Sequence, residues 1–102
     1  MEKIKISLEY HCYPVWVYNE KGELIDNNLP EELINDSELN KTFTKIQEIY
    51  DNLFVDNLVE FYYKGFSKED EKEEFLKMTE RAIKIIMEKL GTKYLIENKV
   101  DI

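Results

Sequence analysis

The chain has 102 residues, 43% of them hydrophobic and 35% charged, and its formal net charge is −8 at pH 7. This length and the presence of both charge signs exclude a disordered chain and predict one domain over residues 1–102, with a core that needs no metal or disulfide. The excess of acid without a basic patch excludes nucleic acid and anionic membrane surfaces as ligands.

The first segment has the period-two pattern of a strand with one buried face. Five apolar positions alternate with polar or charged residues: Ile4, Ile6, Leu8, Tyr10 and Cys12. Pro14 interrupts the pattern, and the extended run resumes over residues 15–18. Asn19 to Gly22 favours a hairpin turn, which a short return strand over residues 23–26 follows.

A single helical turn is expected next, with Pro30 at its first position. Asp36 or Ser37 can cap the first long helix. Its apolar stripe advances by steps of four, three, four and three residues, through Leu39, Phe43, Ile46, Tyr50 and Leu53.

A third strand is predicted where apolar and polar residues alternate from Val59 to Tyr63, ending at Gly65. Ser67 with Asp70 has the form of a capping box and predicts the start of a second amphipathic helix, which Gly91 ends. Residues 94–96 offer a last strand or a packed tail.

The predicted order is therefore β-β-α-β-α with an optional final strand. Three or four mostly antiparallel strands packed against two amphipathic helices make an α+β domain. Strand order does not follow from the sequence.

Catalytic residues are not expected. His11 and Cys12 are adjacent, so on a strand their side chains point to opposite faces and cannot form a nucleophile–base pair. No glycine-rich phosphate loop and no zinc-ligand spacing occurs, so we predict neither a cofactor nor a metal. The single cysteine and the absence of a long apolar run predict a cytoplasmic protein.

The charge is concentrated in one region. Residues 19–60 contain eleven acids and three lysines, which equals the net charge of −8, while the flanking regions balance. Within it, residues 20–38, which we call the acidic segment, hold seven acids against Lys21 alone. No single helix dipole explains them. A solvated surface and a contact surface for a basic partner are the two interpretations.

Aromatic residues precede the acidic segment, and Tyr and Trp are favoured at binding surfaces. Trp16 and Tyr18 share one face of a strand and Val15 and Val17 share the other. A core position is favoured for Trp16 over an interface position. The predicted partner-binding residues are Trp16, Tyr18, Glu23, Asp26, Glu31, Glu32 and Asp36.

In size, acidity, lack of catalytic residues and acids beside aromatics, the chain resembles the small immunity proteins that bacteria use to neutralise their own toxins. The resemblance implies a non-enzymatic inhibitor that binds a basic protein such as a toxin, with residues 20–38 laid across a cationic surface. A second interpretation is an adaptor or structural subunit with an obligate interface, including a homodimer. A small-ligand-binding domain or a minor enzyme, with its pocket between the sheet and the helices, is the third.

Overall fold

The computed structural model describes residues 1–102 as six strands, one 3-10 turn and two long helices. In chain order these are β1 (Glu2–Ile6), β2 (Val15–Tyr18), β3 (Leu24–Asp26), the 3-10 turn (Glu31–Leu33), α1 (Ser37–Asp51), β4 (Phe54–Asp56), β5 (Phe61–Tyr63), α2 (Glu69–Leu90) and β6 (Tyr94–Asn98). The α+β class with two helices is confirmed.

Four strands form a mixed sheet in the order β3-β2-β1-β6. The β1–β2 and β2–β3 pairs are antiparallel, whereas β6 lies parallel to β1, with Ile4 opposite Ile96. The optional last strand is thus present and forms one edge of the sheet. β4 and β5 pair with each other in a separate antiparallel hairpin.

β1 is shorter than its alternating pattern predicts. The strand ends at Ile6, and the chain turns back over residues 7–14, where the Ser7 amide donates to the Pro14 carbonyl at 3.0 Å. His11 has a φ of 59°, whereas the residues of an extended strand have negative φ angles. The prediction of a strand through Cys12 is wrong, because the alternation of apolar and polar residues continues into a turn, in which the Cys12 amide donates to the Glu9 carbonyl at 3.0 Å.

Of the two predictions for the residues that cap the helices, one is correct and one is wrong. Asp36 caps α1 by accepting a hydrogen bond from the Leu39 amide at 3.0 Å. α2 instead begins at Glu69 after Lys68, without a side-chain cap, so the capping box of Ser67 and Asp70 does not form. Three acids in the first turn of α2 face the positive end of its dipole.

The core lies between the sheet and the two helices. The inner face of the sheet contributes Ile4, Ile6, Val15 and Val17, and the helices contribute Leu39, Phe43, Ile46, Phe75, Ala82, Ile83, Ile86 and Leu90, all buried. The register places Trp16 and Tyr18 on the opposite, outer face, half-buried. The core position favoured for Trp16 is wrong, because the two valines occupy it.

Candidate functional site

The acidic segment follows the edge of the sheet and continues to the start of α1. Asn19 begins the β2–β3 turn, its side-chain oxygen accepting from the amides of Lys21 and Glu23 at 2.9 and 3.0 Å. Gly22 allows the turn with a φ of 83°. Asn27 then fixes the loop by donating to the Tyr13 and Val15 carbonyls. The segment is held by side-chain bonds although most of it is irregular.

Two of its acids support the fold. Glu32 accepts from the Tyr94 hydroxyl at 2.9 Å and pairs with Lys93. The hydrogen bond from Lys93 holds the pKa of Glu32 below its usual value. Asp36, besides capping α1, pairs with Lys89 at 3.2 Å. Its pKa is lowered first by the Leu39 amide and then by Lys89.

The remaining acids of the segment are exposed and free of strong partners. Five ion pairs form in the molecule, and none includes Glu23, Asp26, Glu31 or Glu38. Glu23 accepts only from the Asn19 amide at 3.2 Å, and the terminal amine lies 3.8 Å from Glu20. A patch of uncompensated carboxylate therefore surrounds the β2–β3 edge and the 3-10 turn.

The two predicted aromatic anchors lie on the outer face beside lysines. Lys3 Nζ is 4.7 Å from the ring centre of Tyr18, and Lys5 Nζ is 5.7 Å from that of Trp16. The Trp16 indole donates to the Ser7 carbonyl at 3.0 Å. Tyr18 pairs with Leu24 across β2 and β3, one residue from Glu23. Of the two rings, Tyr18 is thus the one that adjoins the acidic segment.

The structure also presents a surface that the sequence prediction missed. The β4–β5 hairpin stands on an aromatic cluster in which the Phe54 ring lies 4.8 Å from Tyr10 and 5.2 Å from Tyr50. At its end, Leu58 and Val59 are almost fully exposed. The aromatic residues on both sides of Asp56-Asn57 were the signal in the sequence that could have indicated this hairpin.

A groove of about 670 Å³ lies between α1 and α2. Its lining is mixed, with Ile49, Phe66 and Met78 beside Lys45 and Arg81. No group of three or more His, Cys, Asp or Glu side chains is placed to hold a metal ion. Neither helix is long and apolar enough to cross a membrane.

A family model described as Serratia CdiI immunity protein-like matches residues 2–99, nearly the whole chain. The chain belongs to this family. The resemblance to immunity proteins drawn from composition is confirmed by this match. No curated protein matches the chain.

Membership in the Serratia CdiI immunity protein-like family concerns the whole domain and assigns no residue a role. Within that domain, the free carboxylates of the acidic segment and the β4–β5 hairpin are the two most distinctive exposed surfaces. One is charged and irregular, and the other is apolar and held by local bonds.

Proposed function

We propose that this protein is a non-enzymatic inhibitor that binds and neutralises a toxin in the cytoplasm, and that the acidic segment recognises a basic surface of that toxin. The toxin-neutralising role follows from the family. The choice of surface rests on the charge, since residues 19–60 carry the entire excess of −8.

The free acids of the segment have the character of a recognition surface. Glu23, Asp26 and Glu31 are exposed and form no ion pair, so a cationic partner would not have to displace a lysine or arginine from them. Clustered charge of one sign raises the rate of encounter with the opposite sign by about 10-fold to 1000-fold at low salt. We expect these acids to accelerate association more than they slow dissociation.

Glu32 and Asp36 have a supporting role in this proposal. Because they hold Tyr94, Lys93 and Lys89, their contribution to binding is to fix the backbone that carries their free neighbours. Tyr18 supplies an aromatic contact at the edge of the segment, and Trp16 extends that contact along the outer face.

The first experiment is capture of the tagged protein from a lysate of its source at low and then high salt, with mass spectrometry of the retained proteins. One basic protein at near-equal stoichiometry, whose toxicity the purified immunity protein abolishes, is the expected result. The absence of any such partner would contradict the proposal.

The surface is tested by charge reversal in stopped-flow binding to the purified toxin. Asp26→Lys with Glu31→Lys should slow association about tenfold at low salt and flatten its salt dependence. Glu73→Lys with Glu74→Lys is the matched control, because it makes the same charge change on exposed α2 positions. Equal effects of the two variants would contradict a specific role of the acidic segment, because the association rate would then depend only on the net charge of the protein.

A further inference from the structure

The end of the β4–β5 hairpin exposes two apolar side chains. Leu58 and Val59 have exposed fractions of 105% and 87%. We call residues 57–60, the turn that carries them, the hairpin tip. Tight turns favour Gly, Asn, Asp, Pro and Ser, which fit turn backbones and hydrogen-bond locally. Two aliphatic residues at its centre contribute nothing to the core and leave apolar area in water.

Hydrogen bonds brace the backbone of the hairpin tip. The side-chain oxygen of Asn57 accepts from the amides of Val59 and Glu60, both at 2.9 Å. The backbone N–H of Asn57 donates to the backbone carbonyl of Glu60 at 2.9 Å. A contact surface that is already ordered loses less conformational entropy when it binds. The backbone that carries Leu58 and Val59 is therefore ordered by these bonds.

The base of the hairpin is also fixed. Phe54 stacks on Phe61 at 5.6 Å and meets Tyr63 at 5.2 Å on the side that faces the body of the protein. The Tyr10 hydroxyl donates to the Asp56 carboxylate at 2.9 Å. The hairpin is thus a supported projection.

The hairpin and the end of α1 that precedes it are rich in carboxylates. Residues 48–60 contain Glu48, Asp51, Asp56 and Glu60 and no Lys or Arg. None of the four forms an ion pair. An apolar tip flanked in the chain by Asp56 and Glu60 complements an apolar depression rimmed by basic residues, because the buried centre of an interface is apolar and its rim polar.

We propose that the hairpin tip is the apolar anchor of this immunity protein and enters a pocket with a basic rim on the toxin. The inference rests on the proposed function and adds a second contact surface to it. The acidic segment governs the rate of encounter, and Leu58 and Val59 govern the lifetime of the complex.

The test uses the full-length protein and the purified toxin identified by the capture experiment. Leu58→Ser with Val59→Ser should raise the dissociation rate about thirtyfold or more, since burial of two aliphatic side chains is lost. The association rate and its salt dependence should stay within about twofold. Circular dichroism checks that the variant folds.

Two further variants separate an apolar anchor from a general surface effect. Leu58→Met with Val59→Ile keeps the apolar character and should retain slow dissociation. Met87→Gln removes an exposed apolar side chain from α2, outside the hairpin, and should leave the dissociation rate unchanged.

Dissociation of the serine variant at the wild-type rate would overturn the anchor and leave the proposed function intact. A wild-type dimer in light scattering that the serine variant converts to a monomer would also overturn it, because the tip would then bind a second copy. Failure of the wild-type protein to bind any toxin would remove the proposed function itself, and the anchor with it.

Discussion

Tyr94 is a single residue that joins the start of β6 to the 3-10 turn. Its ring is buried in the core, while its hydroxyl donates to both carboxylate oxygens of Glu32, at 2.9 and 3.1 Å. Burial and this hydrogen bond raise the pKa of Tyr94 above its usual value. The contact joins residues 62 positions apart and anchors the acidic segment to the sheet.

Tyr94→Phe removes this bond and keeps the ring. We expect it to lower the free energy of unfolding by about 1–2 kcal/mol, because a hydrogen bond to a charged acceptor is lost and the carboxylate stays partly buried. Urea denaturation measures the change. Tyr18→Phe, the same change on the half-exposed outer face, should have an effect below about 0.5 kcal/mol. Equal effects would show that the Glu32 contact does not stabilise the fold.

The contrast between Glu31 and Glu32 shows what sequence reasoning could not resolve. The two acids are neighbours with the same composition around them, and both were predicted to bind a partner. Only Glu32 meets Lys93 and Tyr94, since the 3-10 turn points it toward the end of α2 and the start of β6. A charge cluster can be found from the sequence, whereas the free members of the cluster depend on contacts from distant residues.

At the scale of elements, local patterns predicted the helices better than the strands. The stripe of α1 depends on spacing within one helix, and Leu39, Phe43 and Ile46 are buried as predicted. β4 was missed because Leu53 continues the helical spacing and Phe54 follows it directly. The strand expected to start at Val59 is only the three residues of β5, since Leu58 and Val59 form the turn.

The β4–β5 hairpin has few backbone partners and depends on Phe54 for its attachment. Phe54→Ala removes contacts to Tyr10, Tyr50, Phe61 and Tyr63. We expect amide hydrogens of β4 and β5 to exchange about tenfold faster or more, because local opening becomes easier by about 1–2 kcal/mol. Amides of β1 should be affected less.

The control for this prediction lies on the other face of the same hairpin. Tyr62 pairs with Val55 and is exposed, so Tyr62→Ala removes a ring of similar size without detaching the hairpin. Exchange as fast in Tyr62→Ala as in Phe54→Ala would mean that strand pairing, and not the aromatic cluster, holds the hairpin in place.

For the whole molecule, strand order was beyond the sequence because it depends on pairing between the two ends of the chain. β6 aligns parallel with β1 from Glu2 opposite Tyr94 to Ile6 opposite Asn98. Nothing within residues 94–98 specifies that neighbour or its direction. The same pairing brings Lys3 within 2.9 Å of Glu97, so the closure of the sheet also places a charge pair.

Three carboxylates join elements that are distant in the chain, in the pairs Glu32 with Lys93, Asp36 with Lys89 and Glu97 with Lys3. The pKa of each carboxyl group lies below its usual value. The largest cause is the hydrogen bond from Lys93 for the first, the Leu39 amide for the second and the hydrogen bond from Lys3 for the third. The pKa of each group is lower in the folded protein than in the unfolded chain. These groups therefore stabilise the fold at a pH above their unfolded pKa values, which are about 4. Their contribution is lost as the pH falls through the folded values.

We therefore expect a variant with Glu32→Gln, Asp36→Asn and Glu97→Gln to be less stable than the wild type at pH 7. The difference should narrow as the pH falls below about 4 and the wild-type carboxylates take up protons. Asn keeps the capping oxygen of Asp36, so the helix start is preserved. Urea unfolding at each pH measures the difference. The control changes acids that form no ion pair, with Glu23→Gln, Asp26→Asn and Glu31→Gln, and should differ less from the wild type at pH 7. A difference for the first variant that stays constant from pH 7 to pH 2 would mean that the three ion pairs do not stabilise the fold through charge.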